Sequence, residues 1–139
     1  MAIPLANGST TTLTTTYASY DYTNDMYVIK TDAGGGALWA QRFGGSGTES
    51  GFGIGVDASG NSYVSGYFMG AMDVPLANGS TVILVPGGSG DAFVLKIDAA
   101  GAVLWAEQFG GAGYDYDLGL PWPPAGPRAP WEVSMAPWM

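Results

Sequence analysis

The chain has 139 residues, which is enough for one ordinary domain with a sizeable core. It contains 23 glycines and no cysteine or histidine, which excludes disulfides, thiolate metal sites and the commonest general base. Charged residues make up only 12%, too few for helical surfaces, and a formal net charge of −8 would repel nucleic acid and anionic membranes. This composition favours an all-β protein kept soluble by polar turns and scattered acids.

The chain starts with MAIPLANGSTTT, which has neither the basic region nor the apolar region of a signal peptide. No apolar run approaches the roughly 20 residues that a membrane-spanning helix needs. Residues 3–10 (IPLANGST) recur as residues 74–81 (VPLANGST), 71 positions later. The Thr- and Tyr-rich residues 10–24 that follow the first copy read as a longer loop or an irregular edge strand.

Residues 25–47 recur as residues 91–113, 66 positions later, with 13 of 23 positions identical. Such self-similarity in a short chain indicates one supersecondary unit used more than once. In each copy, two runs of β-branched, aromatic and other apolar residues flank a turn that contains Asp and Gly, and consecutive glycines end the second run. Each copy is therefore predicted to be a β-hairpin.

Side-chain alternation predicts an apolar face on each strand of the second hairpin: Phe93, Leu95 and Ile97 on the first strand, and Val103, Trp105 and Phe109 on the second. Trp105 and Phe109 would each contribute a few kcal/mol, but only if a neighbouring layer covers them.

The residues between the two hairpins predict three further strands. Residues 51–56 alternate glycine with Phe52, Ile54 and Val56, and glycine within a strand indicates close approach by other backbone, as around a central axis. Residues 62–68 carry large apolar or aromatic groups on both faces, which indicates a strand between neighbours. Residues 82–85 are continuously apolar and predict a buried extended segment.

The repeat pattern stops at Pro121, and residues 121–139 carry six of the nine prolines and three of the five tryptophans. A central strand does not tolerate that proline density, because each proline removes a hydrogen-bond donor. We interpret this segment as a poorly ordered or out-of-frame tail, with a proline-rich ligand segment as the alternative.

The motif order Asp-x-Phe/Tyr-Val-x-Lys-x-Asp, Leu-Trp, Phe-Gly-Gly-x-Gly and Gly-x-Gly-Val-Asp-x-x-Gly-Asn-x-Tyr-Val-x-Gly runs through residues 25–66 and again through 91–120. This order resembles the SBBP, or seven-bladed β-propeller, repeat of bacterial and archaeal surface proteins. The resemblance implies antiparallel four-stranded blades around a central channel. Residues 51–56, 62–68, 92–97 and 103–109 would be the four strands of one blade, from the innermost outward, and residues 26–43 would be the outer half of the preceding blade.

A closed propeller needs several blades, and this chain encodes about one and a half to two, so we expect an incomplete, open propeller fragment. The expected organisation is a partial first blade with a Thr-rich loop in residues 1–50. A second blade and the start of a third would follow in residues 51–120, and the Pro/Trp-rich tail would occupy residues 121–139.

Three groups of residues invite a chemical interpretation. Asp57, Ser59 and Asn61 faintly resemble a calcium loop, but no bidentate glutamate follows, and a hairpin turn is favoured. Two sequons at Asn7 and Asn78 fit N-glycosylation, but Asn-Gly also favours a tight turn. No Walker loop, dinucleotide fingerprint or nucleophile elbow is present, so we expect no cofactor.

The remaining candidates are acids and lysines that recur in both copies. Asp25 and Asp91, with Lys30 and Lys96, are expected to make a turn hydrogen bond and to occupy a partly solvated strand position, respectively. Carboxylates that could meet for acid–base chemistry are Asp115, Asp117 and Glu49, which matches Asp115.

These observations predict a non-catalytic β-propeller module, with no catalytic, cofactor or metal residues, that acts as a scaffold or binding platform in a secreted or cell-surface protein. Its expected partners are further blades of a longer chain or another copy of itself, and a protein or glycan ligand, with no nucleic acid and no membrane insertion. The alternative is part of a propeller-type hydrolase or lyase whose site is completed by other blades.

Overall fold

The computed structural model describes residues 1–14 and 23–113. In these two ranges there are ten strands and no helix, so no described helix can cross a membrane. The strands are β1 (Ala2–Pro4), β2 (Thr10–Thr12), β3 (Met26–Thr31), β4 (Ala37–Gly45), β5 (Glu49–Val56), β6 (Ser62–Phe68), β7 (Met72–Pro75), β8 (Thr81–Leu84), β9 (Asp91–Ile97) and β10 (Val103–Phe109). The predicted all-β class is confirmed.

Strands β5, β6, β9 and β10 form one antiparallel four-stranded sheet in the order β10-β9-β6-β5. This is the strand order that the resemblance to the SBBP repeat implies for the complete blade. Strand β6 is central and pairs with β9 over seven residue pairs, from Ser62 opposite Ile97 to Phe68 opposite Asp91. It is buried at all but one position, as its two apolar faces predict.

The second four-stranded sheet has the order β3-β4-β7-β8. As predicted, hairpin β3–β4 lies outside the first sheet. Hairpin β7–β8 joins it through two residue pairs, Gly44 with Asp73 and Gly45 with Met72. The expected organisation places the segment between β6 and β9 in the blades of residues 51–120, and the structure corrects this for β7–β8: the hairpin leaves that blade and extends the preceding sheet.

Strand β8 corrects a second expectation, because the apolar residues 82–85 are not a buried segment. Ile83 is 60% exposed and Val85 is 58% exposed, whereas Leu84 is buried. Within the described residues β8 pairs only with β7 and forms the edge of its sheet. Only one face of the strand therefore packs against the core.

Strand β10 corrects a third expectation, since Val103, Trp105 and Phe109 do not share a buried face. A register shift between Val103 and Trp105 inserts an extra residue, so the alternation changes phase along the strand. Val103 and Ala106 are buried, whereas Phe109 is 38% exposed.

The two four-stranded sheets pack against each other over one apolar core. Its buried members are Met26, Val28, Trp39 and Phe43 from β3–β4, Met72, Val74 and Leu84 from β7–β8, and Val64, Phe68, Phe93, Leu95, Ile97, Val103 and Ala106 from the blade. The predicted face of β9 is confirmed, because Phe93, Leu95 and Ile97 have no exposed surface. The core is thus an inter-sheet layer, which neither sheet could form alone.

The turn between β9 and β10 connects the two sheets through hydrogen bonds. Trp39 Nε1 donates to the carbonyl oxygen of Ala99 at 3.1 Å, and Gln41 Nε2 donates to that of Gly101 at 2.7 Å. Gly101 has φ +96°, and a Cβ there would lie 2.8 Å from the Trp39 ring, so only glycine fits. In the second copy the position of Gln41 is taken by Glu107, whose side chain has no N–H to donate.

Hairpin β1–β2 repeats the geometry of β7–β8 on the other side of β3–β4. The backbone N–H of Ala6 donates to the Ala37 oxygen at 2.8 Å, as that of Ala77 donates to the Val103 oxygen at 2.8 Å. Ile3 packs in a small second cluster whose other buried members are Leu13 and Ala40. The recurrence of IPLANGST as VPLANGST therefore reflects one hairpin placed twice in the same setting.

Strands β5 and β6 approach each other closely at Gly66. A Cβ at this position would collide with the carbonyl oxygen of Ser50 and lie 2.8 Å from the Phe93 ring. Gly66→Ala should therefore lower the free energy of unfolding by about 1–3 kcal/mol in urea denaturation. Gly113→Ala is the matched control, because among the described residues no atom beyond its chain neighbours lies within 4 Å of the place that a Cβ on Gly113 would occupy. Equal stability of the two variants would contradict the close approach.

Candidate binding cleft between β3 and β5

A cleft of about 540 Å³ lies between β3 and β5, which are edge strands of the two sheets. Apolar side chains of both strands are half-exposed there: Tyr27 at 37%, Ile29 at 45%, Phe52 at 50% and Ile54 at 54%. Phe52 sits at a β-bulge between Gly51 and Gly53, and its ring stacks on Tyr67 with 5.3 Å between centroids. The bulge and the stacking fix an aromatic ring at the cleft wall.

Glu49 lies at the start of β5, where it also lines the cleft. Glu49 is 1% exposed, and neither of its carboxylate oxygens has a hydrogen-bond partner among the described residues. Burial raises the pKa of Glu49 from 4.5 to about 7, and the negative charge of Asp25 adds to the increase. The backbone of Gly45 and the charge of Arg42 act weakly in the opposite direction. A proton on Glu49 is therefore gained or lost near neutral pH.

Asp25 is held by an ion pair with Arg42, with 2.8 Å between Oδ2 and Nε, and its side chain is 6% exposed. In the second copy Asp91 accepts hydrogen bonds from the Gly87 N–H at 2.9 Å and from Gln108 Nε2 at 3.3 Å. The turn hydrogen bond predicted for this repeated aspartate is confirmed for Asp91. Asp25 instead forms an ion pair, because the first copy has an arginine where the second has a glutamine.

The repeated lysines are partly exposed, as predicted, but they contact different groups. Lys30 Nζ donates to the carbonyl oxygen of Gly60 at 2.6 Å, which adds a further contact between the sheets. Lys96 Nζ lies over the Tyr63 ring, 5.2 Å from its centroid. Each lysine therefore contacts another group, and neither is an isolated charge that points into the cleft.

Asp115 and Asp117, the predicted acidic partners of Glu49, lie outside the described residues. The carboxylate that the structure does bring close to Glu49 is Asp25, and sequence reasoning missed this pair. The two residues meet because Asp25 directly precedes β3 and Glu49 begins β5, and the packing of the two sheets brings those strand ends together. The Glu49 N–H donates to the Asn24 carbonyl oxygen at 2.7 Å, which fixes the approach.

The motif with Asp57, Ser59 and Asn61 forms the β5–β6 hairpin turn. Asp57 Oδ1 accepts the N–H groups of Ser59 at 3.0 Å and Asn61 at 2.9 Å, and Oδ2 accepts from Asn61 Nδ2 at 2.9 Å. The side-chain hydrogen bond from Asn61 is the main reason that the pKa of Asp57 is lowered. Asn7 and Asn78 likewise accept from the Ser two residues later in tight turns.

The cleft has an apolar surface bordered by the edge strands β3 and β5, and the acids Asp25 and Glu49 lie at its base. In residues 1–14 and 23–113 there is no group of three or more His, Cys, Asp or Glu that could hold a metal ion. Glu49 lines the cleft and could exchange a proton near pH 7, although only 1% of its surface is exposed. Backbone groups and apolar side chains are the features that a binding partner would meet.

Two comparisons with known proteins agree with this architecture. The model of the SBBP family, described as a β-propeller repeat, matches residues 38–67, which run from β4 through β5 to β6. An uncharacterized WD repeat-containing protein of Acanthamoeba polyphaga mimivirus is 36% identical over 86 residues, or 60% of this chain. That match spans only 6% of the viral protein's length.

Proposed function

We propose that this chain, as a β-propeller repeat module with an SBBP repeat at residues 38–67, is a non-catalytic scaffold and binding platform. It would act as part of a larger propeller, with the remaining blades supplied by a longer chain or by further copies. The resemblance to repeats of surface proteins supports a secreted or cell-surface location. The partners that we propose are other blades and a protein or glycan ligand.

The observation that carries this proposal is the apolar cleft between β3 and β5. Four half-exposed apolar side chains lie on strands that, in a radial array of blades, would face neighbouring strands. Exposed apolar surface of this kind is typical of an interaction site. The net charge of −8 argues against nucleic acid and anionic membranes as the partner.

A propeller-type hydrolase or lyase is the second candidate, and one observation favours it. The pKa of Glu49 is raised to about 7 by burial and by the charge of Asp25, which is a range suited to proton transfer. On this hypothesis other blades would add the remaining site residues above the cleft. Turnover by an assembled propeller that is lost in Glu49→Gln would favour the enzyme over the scaffold.

The scaffold proposal predicts that the isolated chain self-associates through the cleft. Size-exclusion chromatography with light scattering should give a mass above that of the monomer, rising with protein concentration, and circular dichroism should show β structure. The double variant Phe52→Ser, Ile54→Ser should shift the mass toward the monomer, because it removes apolar surface from the cleft wall.

Ile83→Ser is the matched control, since Ile83 is 60% exposed but lies on β8, away from the cleft. It should leave the mass unchanged. A wild-type chain that stays monomeric at all concentrations and still unfolds cooperatively would contradict the proposal, because the cleft would then need no partner.

A further inference from the structure

We propose that Asn7 and Asn78 are sites of spontaneous modification, at which the nitrogen of the following glycine attacks the asparagine side chain and converts it to an aspartyl or isoaspartyl residue. This inference goes beyond the proposed function and does not depend on it. It concerns two exposed turns, residues 5–9 and residues 76–80, which carry the same sequence, LANGS.

In both turns the asparagine side chain folds back over the peptide bond that follows it. Asn78 Oδ1 accepts the N–H of Ser80 at 2.9 Å, and Asn7 Oδ1 accepts that of Ser9 at 2.9 Å. The ring of atoms that the hydrogen bond from Ser80 closes contains both Asn78 Cγ and the Gly79 nitrogen. The nucleophile and the carbon that it attacks are therefore held together in one compact turn.

The same asparagine oxygen has a second donor in each turn. Ser80 Oγ lies 2.7 Å from Asn78 Oδ1, and Ser9 Oγ lies 2.7 Å from Asn7 Oδ1. When a nitrogen adds to the amide carbon, this oxygen gains negative charge, so hydrogen bonds donated to it become stronger in the transition state. Each turn thus directs one main-chain N–H and one hydroxyl at the oxygen of its own amide.

The reacting glycine nitrogen is accessible. Gly79 has φ +86°, and among the described residues no atom beyond its chain neighbours lies within 4 Å of the place that a Cβ would occupy. Its N–H donates to the Leu76 oxygen at 3.0 Å. Because the turn is exposed, water can hydrogen-bond to these groups once the Gly79 nitrogen loses its proton.

The reaction needs water as its only co-reactant. A water-derived base takes the proton from the Gly79 nitrogen, which forms a bond to Asn78 Cγ. The bond from Cγ to Nδ2 then breaks, and ammonia leaves with a proton from water, so a cyclic succinimide remains. Addition of water at Cγ gives the aspartyl residue. Addition of water at the main-chain carbonyl carbon gives the isoaspartyl residue, whose main chain runs through the former side chain.

The other two asparagines of the chain lack this arrangement. Asn24 is followed by Asp25 and Asn61 by Ser62, and each of these following residues has a Cβ that hinders attack by its nitrogen. Asn61 Nδ2 also donates to Asp57 Oδ2 at 2.9 Å, which holds the leaving group in place. Asn24 and Asn61 are therefore controls within the same molecule.

An isoaspartyl residue at position 78 would weaken the attachment of hairpin β7–β8. It lengthens the main chain inside a turn in which the Leu76 N–H donates to the Ser80 oxygen at 2.8 Å. The same turn is bound to the blade by the Ala77 N–H, which donates to the Val103 oxygen at 2.8 Å. Both hydrogen bonds depend on the turn geometry that the longer main chain changes.

The test is to hold the folded full chain at mildly alkaline pH and to follow the amide-to-acid mass change at each asparagine by tandem mass spectrometry of proteolytic peptides. Positions 7 and 78 should convert while positions 24 and 61 do not. Ser80→Ala should slow conversion at position 78 about fivefold, which is the effect of one neutral hydrogen bond on the barrier, and leave position 7 unchanged. Ser80→Thr restores a hydroxyl and should retain the wild-type rate.

Ser9→Ala is the reciprocal variant, and it should slow conversion at position 7 alone. Circular dichroism would verify that each variant is folded. Conversion at positions 7 and 78 only after unfolding in urea would overturn the proposal, because the folded turns would then protect the amides. Equal rates at all four asparagines would also overturn it. An unchanged rate at position 78 in Ser80→Ala would overturn the role of the hydroxyl.

Discussion

Replacing Phe93 with alanine should lower the free energy of unfolding by about 3–5 kcal/mol, the usual cost of deleting a fully buried phenylalanine ring. Phe93 has no exposed surface and packs edge-to-face on Phe68, with 6.3 Å between ring centroids. Its ring also fills the space that glycine leaves at position 66. Because it belongs to the layer between the two sheets, the loss should weaken both sheets together.

Urea denaturation followed by circular dichroism and by tryptophan fluorescence would measure the effect. Phe109→Ala is the matched control on the same sheet, since Phe109 is 38% exposed and should cost less than about 1 kcal/mol. Similar losses for the two variants would mean that the inter-sheet layer is not the main source of stability. Transitions that differ between the two probes would mean that the sheets unfold separately.

The free energy of unfolding of the wild-type protein should fall as pH rises, because of Glu49. Replacing Glu49 with glutamine should abolish this part of the pH dependence. The folded-state pKa of Glu49 is raised from 4.5 to about 7. Between these values the folded state holds a proton that the unfolded state has released, so wild-type stability falls as pH increases and levels off above about pH 7. The loss should be on the order of 1–3 kcal/mol, allowing for screening by solvent at the cleft.

Urea denaturation of both proteins between about pH 4.5 and about pH 8 would test this. The difference between the two curves isolates Glu49, because all other acids titrate in both proteins. Glu107→Gln, at an exposed position on β10, should leave the pH dependence unchanged. Parallel curves for wild type and Glu49→Gln would contradict the prediction, because they would show that the pKa of Glu49 is not raised in the folded state.

The repeat made much of the fold predictable from sequence. Two aligned copies of one segment predicted hairpins β3–β4 and β9–β10, and residues 51–56 and 62–68 completed a blade whose strand order is confirmed. Each of these elements has a strong local signal: alternating side chains between turns built on Asp, Asn and Gly. Such signals determine which residues form strands, whereas the order of the strands within the blade was expected from the resemblance to the SBBP repeat.

The features that sequence reasoning missed depend on single residues or on distant contacts. The extra residue at Leu104 changes which side chains of β10 face the core, and no pattern in the sequence marks a β-bulge there. Hairpin β7–β8 joins the preceding sheet through only two residue pairs, which involve Gly44 and Gly45. In the sequence these glycines indicate only the end of a strand. The approach of Asp25 to Glu49 depends on how the sheets pack, which alternation within one strand does not specify.

The placement of hairpin β7–β8 constrains how such a protein can gain or lose repeats during evolution. The hairpin follows β6 in the chain, but it completes the sheet of β3 and β4. Strands from successive units therefore share one sheet. A recombination breakpoint between β6 and β7 would separate β4 from β7, one of its two partner strands. We therefore expect duplications to preserve the fold when both breakpoints fall at equivalent positions of neighbouring copies, since this restores the β4–β7 pairing at each new junction.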